Sequence, residues 1–215
     1  MTIFLRRKCV LIILLLVCSI AWSADGRIDR HMFMLSNLNT DNGLSSSRIY
    51  SVLEASDGAM WFSSKSGIDR FNGHEVKNYY LSTENKFSDA SGRMIRLVKD
   101  FNNNIFAYDN KGKIFVYDSK LDEFRLKYNL DNVIQGGVIL NDVYIGRDRM
   151  LWVALNKGLF KLSPKATGNW IMRGVYVNHV NSIGDRLIIG TTTGVYVYNF
   201  VSRKTRMLIK SLSVQ

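Results

Sequence analysis

Cysteine and proline are nearly absent from this chain of 215 residues. Both cysteines, Cys9 and Cys18, lie in an apolar segment at the start, and the single proline is Pro164. If that segment is removed as a leader, no thiol remains. That excludes a disulfide framework, a thiolate zinc site and a cysteine nucleophile. The scarcity of proline and the abundance of aromatics argue against a disordered chain or a proline-rich linker.

Histidine is also scarce. His31, His74 and His179 are the only three, and no two of them lie at a metal-ligand spacing. The serines at 45–47 lack the glycines of a nucleophile elbow, and no glycine-rich phosphate loop opens a helix. We therefore expect no cofactor, no metal site and no catalytic residue. A carboxylate pair for glycoside cleavage remains open, because the sequence alone does not exclude one.

The first residues have the layout of an export signal. Basic residues 6–8 precede a largely apolar run at 9–20, and small residues lead to a Ser23–Ala24 junction. This predicts a helical signal peptide over 1–23, cleaved between Ser23 and Ala24. The run is short for a membrane span, which needs about 20 apolar residues. An uncleaved anchor is the alternative.

The chain carries a formal net charge of +11, which falls to +8 when the three charges at 6–8 are removed. A basic balance can indicate nucleic acid, anionic lipid or an acidic ligand. Here the charges are scattered along the chain, and export argues against nucleic acid. Solvated lysines and arginines on strand edges, which discourage edge pairing, explain the charge best.

Four segments, at 60–69, 105–114, 151–160 and 187–196, share one pattern: a large apolar residue followed six positions later by glycine. The pairs are Trp61 and Gly67, Phe106 and Gly112, Trp152 and Gly158, and Ile188 and Gly194. Successive apolar anchors are separated by 45, 46 and 36 residues. A period of this length is typical of repeat folds such as β-propellers.

The copy around Trp61 predicts four strands. Residues 48–53 alternate as a strand does, Asp57-Gly58 signals a hairpin, and short strands follow at 59–63, 68–71 and 75–80. Four antiparallel strands in about 40 residues make one propeller blade. No segment outside the leader shows a helical period.

The predicted fold is therefore all-β, a partial β-propeller of about four four-stranded blades behind a signal helix. A lead-in strand is expected at 24–41 and the repeats at 42–215. The blades are placed at 42–82, 88–130, 136–175 and 176–212. The large aromatics are expected to pack between blades, with a sugar-stacking surface as the alternative.

The segment "GLSSSRIYSVLEASDGAMWFSSKSGIDRFNG" resembles the two-component regulator propeller, a family of periplasmic sensors in hybrid two-component systems of Bacteroides-type bacteria. The resemblance rests on Gly43-Leu44-Ser45, Asp57-Gly58, Trp61, Gly67 and Phe71-Asn72-Gly73. It is good around Trp152 and weaker in the other two copies.

This resemblance implies a larger parent protein. Such sensors carry two seven-bladed propellers, a β-sandwich, a membrane helix, a histidine kinase, a receiver and a DNA-binding region. They recognise oligosaccharides and switch on polysaccharide-utilisation genes. We therefore expect a periplasmic ligand-sensing fragment, or a truncated gene. This chain itself would not be an enzyme, and membrane contact would come only through an uncleaved signal or the missing C-terminal part.

Two other functions stay open: a secreted propeller enzyme acting on polysaccharide, and a structural or protein-interaction propeller. For the ligand, Lys65, Lys111 and Lys157 occupy equivalent loops before the repeat glycine. They form a possible basic ring for an acidic sugar. In a closed ring, residues 31–38 would pair with the last blade. Four blades of seven would leave the last blade uncovered near Ile188 and Val195, so marginal stability or self-association is expected.

Overall fold

The computed structural model describes residues 37–81 and 93–210. The predicted signal peptide, the Ser23–Ala24 junction, residues 31–36 and most of the lead-in segment lie outside the described residues. The described end of the lead-in, 37–41, is not a strand. It enters a short 3-10 helix at Thr40–Asn42, capped by Asn39. A second 3-10 helix, Leu130–Asn132, was not predicted either.

Sixteen strands form four separate four-stranded antiparallel sheets in the described part of the chain. The first blade comprises β1 (Ile49–Glu54), β2 (Met60–Ser64), β3 (Ile68–Phe71) and β4 (Val76–Tyr79). The second comprises β5 (Ile95–Lys99), β6 (Ile105–Asp109), β7 (Lys113–Asp118) and β8 (Glu123–Asn129).

The third blade comprises β9 (Leu140–Ile145), β10 (Leu151–Leu155), β11 (Gly158–Leu162) and β12 (Gly168–Arg173). The fourth comprises β13 (Val177–Ile183), β14 (Arg186–Thr191), β15 (Gly194–Asn199) and β16 (Thr205–Lys210). All sixteen strands lie within the four ranges expected from the sequence. The predicted all-β fold of four propeller blades is confirmed. No helix in 37–81 or 93–210 has the length and apolarity to cross a bilayer.

Left-handed residues at equivalent points set the hairpins. Each turn between the first and second strands has one residue with positive φ: Gly58, Asn103, Arg149 and Gly184. Each turn between the third and fourth strands has another: Gly73, Asp122, Ala166 and Arg203. A left-handed residue gives a tight turn the twist that antiparallel strands require. The blades therefore share one backbone plan even where their turn residues differ.

The first strand of each blade packs against the first strand of the next, from β1 through β5 and β9 to β13. Polar side chains reinforce this inner layer. Ser51 Oγ accepts a hydrogen bond from Leu97 N at 2.9 Å, and Ser63 Oγ donates to Ile95 O at 2.7 Å. Both bonds cross from the first blade to the second and satisfy backbone groups beside the shared core.

Three apolar cores lie between successive blades. Trp61 is buried against Tyr117 and Phe124 of the second blade, with ring centroids 4.8 and 5.7 Å apart. Trp152 is buried in the same way against Tyr198 and Phe200 of the fourth blade, at 4.9 and 5.5 Å. Large buried aromatics therefore supply much of the apolar area that joins the blades.

The other repeat positions show what each blade faces. Phe106 is buried in the core between the second and third blades. Ile188, at the corresponding place in the fourth blade, is only half-buried. We call the surface around it, formed by Ile183, Ile188, Val195 and Ile209, the outward face. Ile183 and Ile209 are 69% and 60% exposed, so the described residues leave this apolar surface accessible.

At two of the four repeat positions, close packing between the third and fourth strands requires glycine. Gly67, Gly112, Gly158 and Gly194 all have positive φ. A Cβ on Gly158 would lie 2.1 Å from the carbonyl oxygen of Met172, and one on Gly67 would lie 2.5 Å from that of Tyr79. Neither oxygen can move away without breaking the strand pairing, so a side chain does not fit at these positions.

Candidate functional site

The loops between second and third strands lie at one end of the blades. Backbone N–H groups in three of these loops donate hydrogen bonds to carbonyl oxygens that directly precede the inner strands. The pairs are Asn110 with Met94, Asn156 with Ile139, and Thr192 with Tyr176. We call this end the loop face. It holds the three lysines expected near a ligand. Lys65 is exposed, while Lys111 and Lys157 are half-buried. The lysines thus lie on one face but in different environments.

Lys157 borders a cleft on the loop face of the third blade. The cleft has a volume of about 720 Å³ and is lined in part by Gln135, Asn156, Lys157, Trp170 and Arg173. The Lys157 ammonium donates to the carbonyl oxygen of Gly136. The Arg173 guanidinium lies 5.2 Å from the centre of the half-buried Trp170 ring. Two cations and an aromatic ring therefore meet in this loop-face cleft.

The inner strands line a second depression, of about 610 Å³, on the concave side of the blades. The buried carboxylate of Asp142 lies at its edge. It accepts hydrogen bonds from Tyr108 O–H at 2.8 Å, Val143 N at 2.9 Å and Val180 N at 3.0 Å. His179 Nδ1 contacts the same carboxylate, and the His179 side chain is 68% exposed.

Asp142 therefore joins three blades at one point, since Tyr108 belongs to the second, Asp142 to the third and His179 to the fourth. Burial raises the pKa of the Tyr108 hydroxyl well above its ordinary value, and the neighbouring Asp142 adds to the effect. The hydroxyl consequently remains a proton donor to the carboxylate throughout the neutral range.

Two further clefts lie at the opposite end, one between the first and second blades and one between the third and fourth. We call them the first and second Trp clefts, because Trp61 lines one and Trp152 the other. Their volumes are about 550 and 610 Å³. In both, the indole Nε1 is buried and has no hydrogen-bond partner among the described residues.

A cation covers each indole and pairs with an aspartate. Arg70 lies 5.7 Å from the Trp61 centroid and donates to Asp57 at 2.7 Å. Lys161 lies 4.8 Å from the Trp152 centroid and 3.7 Å from Asp148. The backbone N–H of Ala59, followed by Arg70, lowers the pKa of Asp57 below its ordinary value. Each aspartate thus pairs with the cation that covers its tryptophan.

A second carboxylate completes the first Trp cleft. Asp122 accepts hydrogen bonds from Tyr117 O–H at 2.6 Å and Tyr79 O–H at 2.7 Å, and Lys77 contacts its other oxygen. Lys77 first, and then the two tyrosines, hold the pKa of Asp122 well below its ordinary value. The cleft therefore contains a fully partnered internal anion.

The sequence did not single out several residues of these sites, among them Trp170, Arg173 and Arg203. One available signal was the spacing around the tryptophans, since an aspartate stands four residues before and a cation nine residues after both Trp61 and Trp152.

In 37–81 and 93–210, no three histidines, cysteines or carboxylates cluster as metal ligands.

Residues 43–66 match the family model described as "Two component regulator propeller". This confirms the resemblance seen in the first blade. No curated protein matches the sequence.

Solved structures show the fold. The extracellular domain of a hybrid two component system from B. thetaiotaomicron superposes with a TM-score of 0.62 at 16% identity, covering 80% of this chain and 26% of that one. An inactive virginiamycin B lyase variant from Staphylococcus aureus, solved with quinupristin, gives 0.60 at 13% identity over 80% and 58%. Apo AztD from Citrobacter koseri gives 0.50 at 12% over 78% and 48%. The chain thus spans about a quarter of the first structure and little more than half of the second.

Proposed function

We propose that this chain is a ligand-sensing propeller from the periplasmic part of a hybrid two-component sensor. The observation that carries the proposal is the family match at residues 43–66, which covers the first two strands of the first blade. In a full-length parent, ligand binding here would regulate polysaccharide-utilisation genes. The kinase and DNA-binding parts would carry out that output, so this chain would act by binding alone.

The proposed ligand is an oligosaccharide, and the loop-face cleft is its proposed site. Trp170 offers a ring face on which a sugar can stack, while Lys157 and Arg173 offer charge to an acidic sugar. Gln135 and Asn156 add amide groups of the kind that fix ligand orientation. Lys65 lies on the same face but outside this cleft, and it serves as a control position.

Titration calorimetry against neutral and acidic oligosaccharides tests the proposal. Trp170→Ala should weaken binding by about tenfold or more, because loss of the stacking surface removes more than about 1.4 kcal/mol. Lys157→Glu should weaken acidic ligands more than neutral ones, and Lys65→Glu should leave both nearly unchanged. If no oligosaccharide binds, or if Trp170→Ala binds normally, the proposal is wrong.

A polysaccharide-cleaving enzyme is the second candidate. It is favoured by the exposed His179 imidazole beside Asp142 on the concave side, an arrangement able to move a proton. Assays for new reducing ends and for unsaturated sugar products, run on the unsubstituted chain and on His179→Ala, decide this point. Product formation that is lost in the variant would establish the enzyme. No product from the unsubstituted chain would exclude the enzyme for the polysaccharides tried.

A further inference from the structure

The two Trp clefts share one frame. In each, an aspartate four residues before the tryptophan pairs with a cation nine residues after it, and the cation covers the indole. In each, the next blade contributes a tyrosine whose ring packs against the indole. The centroid distances are 4.8 Å for Trp61 and Tyr117 and 4.9 Å for Trp152 and Tyr198. A difference between the clefts can therefore be assigned to individual residues.

The two Trp clefts differ at one turn between third and fourth strands. In the first Trp cleft this turn belongs to the second blade, and in the second Trp cleft it belongs to the fourth blade. Asp122 and Arg203 occupy the same position in this turn. Each comes four residues after a side chain that caps the turn, Asp118 or Asn199, and their φ angles are 54° and 56°. The first cleft therefore contains its own carboxylate, whereas the second has a guanidinium in the corresponding place.

This exchange reverses the charge of the site. The lining of the first cleft includes Asp57, Asp122 and Arg70, two carboxylates and one cation. The lining of the second includes Asp148, Arg147, Lys161 and Arg203, one carboxylate and three cations. Only the second cleft has an excess of positive charge beside a buried indole N–H that lacks a partner. An anionic ligand would balance that excess.

The walls of the second cleft are aromatic. Phe101, Tyr144 and Phe200 line it together with Trp152 and Tyr198, and Phe101, Tyr144 and Phe200 are at least partly exposed. The Arg147 guanidinium lies 4.7 Å from the centre of the Phe101 ring. A volume of about 610 Å³ falls in the range of small-molecule pockets. The site thus offers flat apolar faces next to cations.

We infer that the second Trp cleft binds a ring compound carrying one carboxylate. The ligand carboxylate would pair with Arg203, which stands where the first cleft has Asp122, and the ring would lie against the aromatic walls. A sugar acid and an aromatic acid share this chemistry. The site is separate from the loop-face cleft, so the inference does not depend on the proposed function.

Indole N–H signals in a ¹H–¹⁵N NMR spectrum give a direct readout, with D-glucuronate and benzoate as probes and D-glucose as the neutral control. Each tryptophan contributes one indole signal, and Trp→Phe variants at Trp61, Trp152 and Trp170 assign the signals of the described residues. We expect a saturable shift of the Trp152 signal with at least one acid and none with glucose. The Trp61 signal should not move, because the lining of the first cleft has two carboxylates and one cation and would repel an acid.

Arg203→Asp supplies the internal carboxylate of the first cleft and should weaken acid binding by at least tenfold. Arg149→Asp is the matched control. Arg149 is also an exposed, left-handed turn residue, with φ 61°, but it does not line the cleft. Its replacement should change affinity less than twofold. Trp170→Ala, in the loop-face cleft, should have no effect.

The outcomes are decisive. A shift with glucuronate assigns a sugar acid, and a shift with benzoate alone assigns an aromatic acid. Both results support the inference. It is overturned if neither acid shifts the Trp152 signal. It is also overturned if Arg203→Asp and Arg149→Asp weaken binding equally, because that result would mean general charge attraction. If Arg203→Asp does not fold, Arg203→Ala, which removes only the cation, should still lower affinity.

Discussion

Replacement of Asp142 by alanine tests the central contact of the inner layer. The carboxylate accepts hydrogen bonds from Tyr108 O–H and Val180 N. Both of these residues are buried, with 3% of their surface exposed. A hydrogen bond to a charged group contributes about 1.5–3 kcal/mol, and a buried polar group left without a partner costs about 1–3 kcal/mol. Because these terms overlap, we expect Asp142→Ala to lower the free energy of unfolding by about 3–5 kcal/mol.

Urea unfolding at 25 °C, followed by tryptophan fluorescence, measures this change. The midpoint should fall while the slope stays the same, since the surface exposed on unfolding is nearly unchanged. Asp142→Asn retains one acceptor oxygen and should lose about 1–2 kcal/mol. It also provides a measurement if the alanine variant does not fold. Asp131→Ala is the surface control and should change stability by less than about 0.5 kcal/mol.

The reasoning is refuted if the free energy of unfolding of Asp142→Ala lies within about 0.5 kcal/mol of that of the unsubstituted chain. That result would mean that solvent replaces the lost acceptor, or that the three blades are held together without it. A large loss in Asp131→Ala would point instead to a general sensitivity of the chain, and the comparison with Asp142 would then carry no information about the inner layer.

Three other predictions concern pH, backbone packing and association. Asp122 has a depressed folded-state pKa, so its stabilisation is present above the ordinary value of 3.8 and is lost as the pH falls below it. Asp122→Asn should therefore be less stable than the unsubstituted chain at pH 7, and the difference should shrink as the pH falls below 3.8. Thermal melts showing a constant difference would contradict this. Gly158→Ala should lower the free energy of unfolding in urea by about 2 kcal/mol or more, because the new Cβ clashes with Met172 O. Gly58→Ala, with open space around it, should lower that free energy by about 1 kcal/mol. Equal losses would count against the packing argument. Exposure of the outward face should cause concentration-dependent self-association in sedimentation velocity, and Ile183→Glu should reduce it; a parent chain that stays monomeric would exclude the idea.

The strands could be predicted from the sequence because their signals are local. Alternation of apolar residues, the Asp57-Gly58 turn and the spacing of tryptophan to glycine all act within a dozen residues, and each predicts a strand or a turn on its own. The turns of other blades were harder to predict. Arg149 takes the left-handed conformation that Gly58 takes in the first blade, although arginine carries no turn signal of its own.

The clefts could not be predicted in the same way, because their residues come from different strands and blades. Lys157 was expected at a ligand site, but Trp170 and Arg173 reach it only through the pairing of Gly158 with Arg173 across the third and fourth strands. Arg203 belongs with Trp152 only because one blade packs on the next. Such neighbours depend on sheet register and blade order, which single-chain patterns do not specify.

The recurrence of the Trp cleft has a consequence for how such a protein can change in length. The frame appears at Trp61 and again 91 residues later at Trp152, whereas the second blade has Asn102, Phe106 and Phe115 at these positions. Odd blades therefore supply the tryptophan and even blades supply the tyrosine that it packs on. Duplication or deletion of a two-blade segment would leave every tryptophan beside a tyrosine. A change by one blade would place two tryptophan-bearing blades, or two without tryptophan, side by side. Among the described blades, the unit that preserves this contact is accordingly the pair of blades.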